Sequence, residues 1–362
     1  MVLPTRSTTE MRRTLSHLQE FGGFPALLGR IAAGKDLTRN QAHAAMADIL
    51  SDQATSAQIA GLIMGLRIKG ESVEEMIGLV SAMFEASRPL TAPDGATDIV
   101  GTGGSAHRRK HALNVSTMAC FVAAAAGVTI CKHGNLQASS TSGSFDFLAT
   151  QGIPADVEPA ILERAMNEVG IGFVFARSYH PAMRFAGPVR AELGIPTVFN
   201  VLGPLANPAR VRNQVVGVAE VAQAEKMARV LQATGSQRSW VVVGEGGLDE
   251  LTSFGRSTVF EVTPDGIDRF ELNPEDHGLT ATAQLDDIVG GDAATNASIF
   301  AAILDGAERG PRYEMVVLNA AAAMMVAGVV DSLGEGLDRG RSVINDGAVQ
   351  PVIAQLVAVT QL

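Results

Sequence analysis

Tryptophan occurs once and tyrosine twice in 362 residues, and cysteine only at Cys120 and Cys131. Two thiols cannot staple a secreted framework, and their spacing matches no metal site. Both sit in apolar runs and read as buried, inert groups of a chain kept in a reducing cytoplasm. Basic residues are outnumbered 28 to 38, and the net charge of −10 speaks against nucleic acid, whose phosphate backbone needs a basic face. Long hydrophobic runs are missing as well. The longest, residues 118–131 and 316–330, are too short or too rich in Ala and Gly for a membrane span and read as buried helices feeding strands. Met11-Arg12-Arg13 has no apolar stretch behind it, so it does not read as a secretory signal.

What is present is a folded, soluble composition, 46% apolar and 18% charged, long enough for two domains. From about residue 10 to 90 the apolar spacing is helical. Thr38 reads as an N-cap with Gln41 three residues on, and the segments 56–68 and 72–86 each open on Ser. A small all-helical unit over 1–90 is expected, joined by hinge elements from about 180–210, a stretch rich in Gly and Pro. At Pro93-Asp94-Gly95 the texture changes. Short β-rich runs at 98–100, 128–131, 197–199, 214–218, 239–243 and 257–262 alternate with helical segments, which predicts an α/β domain with a mostly parallel sheet over 91–362.

One stretch carries the chemistry. Gly101-Thr102-Gly103-Gly104 follows the apolar run Asp98-Ile99-Val100, and glycines at a strand end let backbone approach a ligand closely. It is neither a Walker loop nor a dinucleotide fingerprint. Asn114-Val115-Ser116-Thr117 then opens a helix, a ready anion site, with Ser116 read as the N-cap. Lys132 ends a buried strand and leads into His133-Gly134-Asn135. Ser139, Ser140, Ser142, Gly143 and Ser144 precede another helix and read as a second phosphate cradle.

These motifs in this order resemble the anthranilate phosphoribosyltransferase family. The likeness continues through His180-Pro181-Ala182-Met183, Pro188-Val189-Arg190, the run Phe199-Asn200-Val201-Leu202-Gly203-Pro204-Leu205-Ala206-Asn207-Pro208, Gly247-Leu248-Asp249-Glu250 and Leu318-Asn319-Ala320. It spans about residues 22–355. The resemblance implies a small helical domain joined to a larger α/β domain, with the active site at the hinge, and a homodimer. It implies transfer of the 5-phosphoribosyl group from 5-phosphoribosyl-1-diphosphate (PRPP) to anthranilate, with release of diphosphate, in tryptophan biosynthesis. Positioning and electrostatics dominate such a reaction, and no residue is assigned as an acid, base or nucleophile.

By motif, Gly101, Gly103, Gly104, Ser105, Asn114, Ser116, Thr117, Lys132 and Ser144 are implied to contact PRPP. Gly101, His133, Asn135, His180, Arg190, Gly203 and Pro204 are implied to surround anthranilate, with Arg190 gripping its carboxylate. Ser116, Asp249 and Glu250 are implied to hold Mg²⁺, about two ions per subunit. The chain departs from the family pattern at Ser105, where Asp is usual, and at Leu136, where Arg is usual. Its loop from Gly104 to Asn114 is longer and carries His107-Arg108-Arg109-Lys110-His111, basic groups that could stand in for the missing arginine. A same-fold enzyme with another acceptor, a phosphorylase, or a non-catalytic ligand- or nucleic-acid-binding protein are the rival readings. The intact Lys132, Arg190, Asp249 and Glu250 argue against loss of catalysis.

Overall fold

The computed structural model describes residues 17–103, 113–137, 141–280 and 282–361. Within these the chain forms two units: residues through Ala86 with Ala182–Val198, and Ser87–Pro181 with Phe199–Leu362.

Three helices of the smaller unit open on one reciprocal device. In α2 (Arg39–Leu50) the Thr38 hydroxyl accepts from the Gln41 N–H, while the Gln41 side chain accepts from the Thr38 N–H. Thr55 with Gln58 does the same for α3 (Ser56–Lys69), and Ser72 with Glu75 for α4 (Val73–Glu85). Each box closes two backbone donors that a helix start leaves open. α3 opens at Ser56, as the sequence suggests, with Thr55 just before it as the cap. The remaining helices of this unit are α1 (Gly23–Ala32) and α9 (Gly187–Leu193), and α9 packs on α3. Glu75 does more than cap. Wholly buried, it accepts from Leu37 N, Ser72 N and Lys69 Nζ, each at 2.8 Å.

The larger unit is built on a seven-stranded sheet in the order β3-β2-β1-β4-β5-β6-β7. The strands are β1 (Thr97–Gly101), β2 (Ile130–Gly134), β3 (Ile171–Phe175), β4 (Asn213–Gly217), β5 (Arg238–Val243), β6 (Ser257–Val262) and β7 (Ile267–Leu272). β1 to β5 are parallel, and β6 and β7 add an antiparallel edge. Parallel strands need crossover connections, here supplied by α5 (Val115–Ala125), α6 (Ser144–Thr150), α7 (Pro159–Glu168), α8 (Ala176–Tyr179), α10 (Val198–Leu205) and α11 (Val221–Ala233). α12 (Ala293–Leu304), α13 (Pro311–Val326), α14 (Leu333–Asn345) and α15 (Val349–Thr360) follow the sheet. α13 is buried from Met315 to Val326 and packs on α5 and α14, so its alanines serve close helix packing.

Two expectations are corrected. Residues 197–199 are not a strand; they open α10, because a short apolar, β-branched run reads alike in either state. The apolar run 316–330 feeds no strand but ends α13 and turns into α14. Strands β3 and β7 were not foreseen. Among the described residues no single helix is long and apolar enough to cross a membrane.

Replacing Glu75 with Ala strands the Leu37 and Ser72 donors and removes one partner of the Lys69 ammonium, which keeps Asp36 and the Gly70 carbonyl, and should cost about 3 kcal/mol of stability. Denaturant unfolding followed by circular dichroism measures it; a loss below about 1 kcal/mol would contradict this reading of the helical unit.

Candidate active site

The sheet order reverses direction between β1 and β4, so the crevice beyond their carboxyl ends is where an open α/β sheet binds ligands. Both strands end in glycine, and Gly101 pairs with Gly217. A Cβ on Gly217 would lie 1.7 Å from the Asp249 carbonyl oxygen, and one on Gly101 2.5 Å from Asp249 Oδ2. The two bare strand ends thus let the Asp249-Glu250 loop rest directly on the sheet. Asp249 Oδ2 accepts from the Gly103 N–H at 2.7 Å, tying the glycine turn to that loop. On its other side the loop is pinned by buried Asn319 of α13, which donates to the Leu251 carbonyl and accepts from the Leu251 N–H. Asp249 and Glu250 are themselves buried.

Beside this floor stands the first turn of α5. Asn114 is its N-cap but makes no side-chain cap, and Ser116 lies inside the helix rather than at the cap position the sequence suggested. Lys132 reaches over from β2. Its buried ammonium donates to the Ile99 carbonyl and, at 3.3 Å, to Ser116 Oγ. Thr117 Oγ1 is buried without a hydrogen-bond partner among the described residues. Backbone N–H groups of a helix start, a hydroxyl and an ammonium together form a strong anion site.

The Asn114 side chain is already committed. It donates to the Ser142 and Gly143 carbonyls and accepts from Ser142 Oγ at 2.8 Å and Asn296 Nδ2 at 2.7 Å. Ser144 Oγ is engaged with the backbone of Asn135, accepting from its N–H and donating to its carbonyl. These two residues therefore shape the loops around the site.

The two histidines form a third group. His133 Nδ1 donates to the Gly203 carbonyl at 3.1 Å, and His180 Nε2 donates to the Ala206 carbonyl at 2.8 Å. Gln214 Nε2 donates to the Pro204 carbonyl at 3.1 Å. All three donate to carbonyls at or just beyond the end of α10, where the helical ladder runs out. The rings meet edge to face, 5.3 Å apart. Burial lowers the pKa of both, that of His133 to about 3, so both are neutral at neutral pH. With Nδ1 protonated, His133 keeps Nε2 as a buried acceptor that has no partner among the described residues.

Of the residues named from sequence, the glycine turn, Ser116, Thr117, Lys132, His133, Asp249 and Glu250 thus gather at the ends of β1, β2 and β4. Arg190 belongs to the smaller unit, on α9. Gly104, Ser105 and the basic run 107–111 lie outside the described residues. Leu136 packs against the hydrophobic core, so it contributes apolar contact where the family pattern has a charge. Sequence reasoning missed Gly217 and gave no role to Asp98, Asn207, Gln214 or Asn319. Gly217 ends a strand, the one signal that could have singled it out.

A glycosyl transferase family model for the α/β domain matches residues 94–350, and one for the helical bundle domain matches residues 25–87. The anthranilate phosphoribosyltransferase of Azorhizobium caulinodans is 44% identical over 93% of this chain and 97% of its own length. That of Rhizobium meliloti is 44% identical over 92% and 97%. The Thermus thermophilus enzyme structure superposes with a TM-score of 0.86 at 39% identity, covering 92% of this chain and 99% of that one. The Saccharomyces cerevisiae enzyme in complex with PRPP and Mg gives 0.82 at 26% identity, covering 98% and 99%. The chain belongs to this two-domain glycosyl transferase family and, within it, to the anthranilate phosphoribosyltransferases.

Gly217→Ala should disrupt the Asp249 loop, lowering turnover at least about tenfold and reducing thermal stability, because backbone must move to admit the methyl group. Gly334→Ala is the control: nothing lies within 4 Å of its would-be Cβ, so it should leave both unchanged or raise stability slightly. Equal behaviour of the two variants would refute the contact.

Proposed function

We propose that this chain transfers the 5-phosphoribosyl group of PRPP to the amine of anthranilate, giving N-(5-phosphoribosyl)anthranilate and diphosphate. The observation that carries the reading is the meeting of a buried ammonium, a helix start and two buried carboxylates at the β1/β4 crevice. The C1–O bond to diphosphate breaks largely ahead of attack, and the amine nitrogen closes on C1. The chain's task is to hold a highly charged leaving group and align a neutral aromatic amine.

Gly101, Gly103, Ser116, Thr117 and Lys132 would hold the phosphates and ribose, joined by Gly104 and Ser105, with Asn114 and Ser144 fixing the loops beside them. Asp249 and Glu250, hard oxygen donors, would hold Mg²⁺ with Ser116 at a second ion, about two per subunit. Among the described residues no group of three or more His, Cys, Asp or Glu could hold a cation alone. That fits Mg²⁺, which commonly binds through one or two carboxylates plus substrate phosphates and water. Bound there, it would neutralise the charge of the departing diphosphate. The Arg190 guanidinium would take the anthranilate carboxylate, and His133, Asn135, His180, Gly203 and Pro204 would shape the aromatic site. A homodimer in the cytoplasm is part of this reading, by family likeness.

Protein, Mg²⁺, PRPP and anthranilate mixed together should consume anthranilate, read as loss of its fluorescence. Arg190→Ala should raise the anthranilate KM more than any other parameter, by about tenfold or more for a lost charged hydrogen bond. Asp249→Ala should impair Mg²⁺-dependent turnover. No turnover at any Mg²⁺ concentration would reject the reading in favour of another acceptor.

A further inference from the structure

β1 is in register with β4 at five positions, and β2 with β3 at five, but β1 and β2 are in register only at Thr97 and Ile130. The first rung is ordinary: Thr97 N–H donates to the Thr129 carbonyl at 2.8 Å. Backbone groups of a strand face alternate neighbours, so Ile99 on β1 and Cys131 and His133 on β2 then face one another. A continued ladder would join Ile99 N–H to the Cys131 carbonyl and His133 N–H to the Ile99 carbonyl.

Side chains satisfy three of these four backbone groups instead. The Cys131 carbonyl accepts from Asn207 Nδ2 at 2.8 Å. His133 N–H donates to Asp98 Oδ1 at 3.2 Å. The Ile99 carbonyl takes the Lys132 ammonium. Asn207 Nδ2 completes the set by donating to Asp98 Oδ2 at 2.9 Å, and Asn207 Oδ1 is held by Ala209 N–H at 3.0 Å. Asp98, Asn207 and Lys132 are all buried.

Burying a carboxylate and an ammonium to replace two ladder bonds is unfavourable for the sheet alone. The gain is geometric: the strands part just where the glycine turn leaves β1 and His133-Gly134 ends β2, and the Lys132 ammonium is left facing Ser116. We infer that Asn207 is a positioning residue, a wedge that with Asp98 holds β1 and β2 apart and sets the Lys132 ammonium for the phosphoribosyl donor. This rests on the reading of Lys132 as a donor contact given above.

The test is steady-state kinetics of Asn207→Ala and Asp98→Asn, each shown folded by circular dichroism at the assay temperature. Turnover by the unaltered chain tests the functional reading, and only the variants test the wedge. The wedge predicts a PRPP KM raised tenfold or more in both variants, with the anthranilate KM moving less than threefold. A lower melting temperature and fewer active molecules with an unchanged PRPP KM would reduce both residues to structural roles and overturn the proposal. Should neither variant fold, hydrogen exchange of the unaltered chain decides. Adding PRPP with Mg²⁺ should slow exchange in the peptides containing Ile99 and His133, whereas adding anthranilate alone should not. Unchanged exchange in both peptides on adding PRPP would overturn the proposal.

Discussion

Contact between the backbone of Asp249 and the bare ends of β1 and β4 is the constraint on which the site depends. With 1.7 Å between the Asp249 carbonyl oxygen and a would-be Cβ at Gly217, no side chain fits there without moving the loop. Because the loop lies on the sheet, Asp249 can reach the Gly103 N–H and so couple the glycine turn to the acidic pair. Asn319 holds the far side of the same loop to α13, itself locked in the core. The crevice at the sheet's point of reversal is thereby given rigid walls, as a site built on positioning requires.

The second theme is charge held ready. Asp98 is wholly buried; burial outweighs the opposing pull of Lys132, Asn207 and backbone N–H groups, so that its pKa is raised to about 6. It therefore remains largely ionised at neutral pH beneath the Lys132 ammonium. The imidazoles nearby are neutral and contribute only oriented dipoles. The thiols take no part, since burial pushes Cys120 up to about 12 and Cys131 higher still. An ammonium and a helix start form a setting that favours an anion, and in the proposed reaction a cation would join the acidic pair to the same ligand.

Much of this was legible in the sequence, for identifiable reasons. Thr38 with Gln41 announced a helix start because capping is local chemistry, and the glycine turn, the helix start after Asn114 and Lys132 could be read as one cluster because they lie close in sequence. What local patterns could not carry was pairing at a distance. Gly217 gains its meaning only beside Gly101, 116 residues away. Asn207 has no motif-level signal as a wedge, because that role exists only once β1 and β2 are placed side by side. The 197–199 run failed for the opposite reason: its local pattern fits two structures, and the helix that ends near Pro204 prevailed.

Among the described residues Asp249 and Glu250 offer carboxylates, but no group of three or more His, Cys, Asp or Glu could hold a cation alone, so in the proposed reaction the substrate would bring the missing ligands. Titration with Mn²⁺, followed by electron paramagnetic resonance, tests it most directly. Weak binding to the free protein should become at least about tenfold tighter when PRPP is added, and Asp249→Asn should abolish the gain. Tight Mn²⁺ binding without PRPP, or a gain that survives Asp249→Asn, would contradict the account.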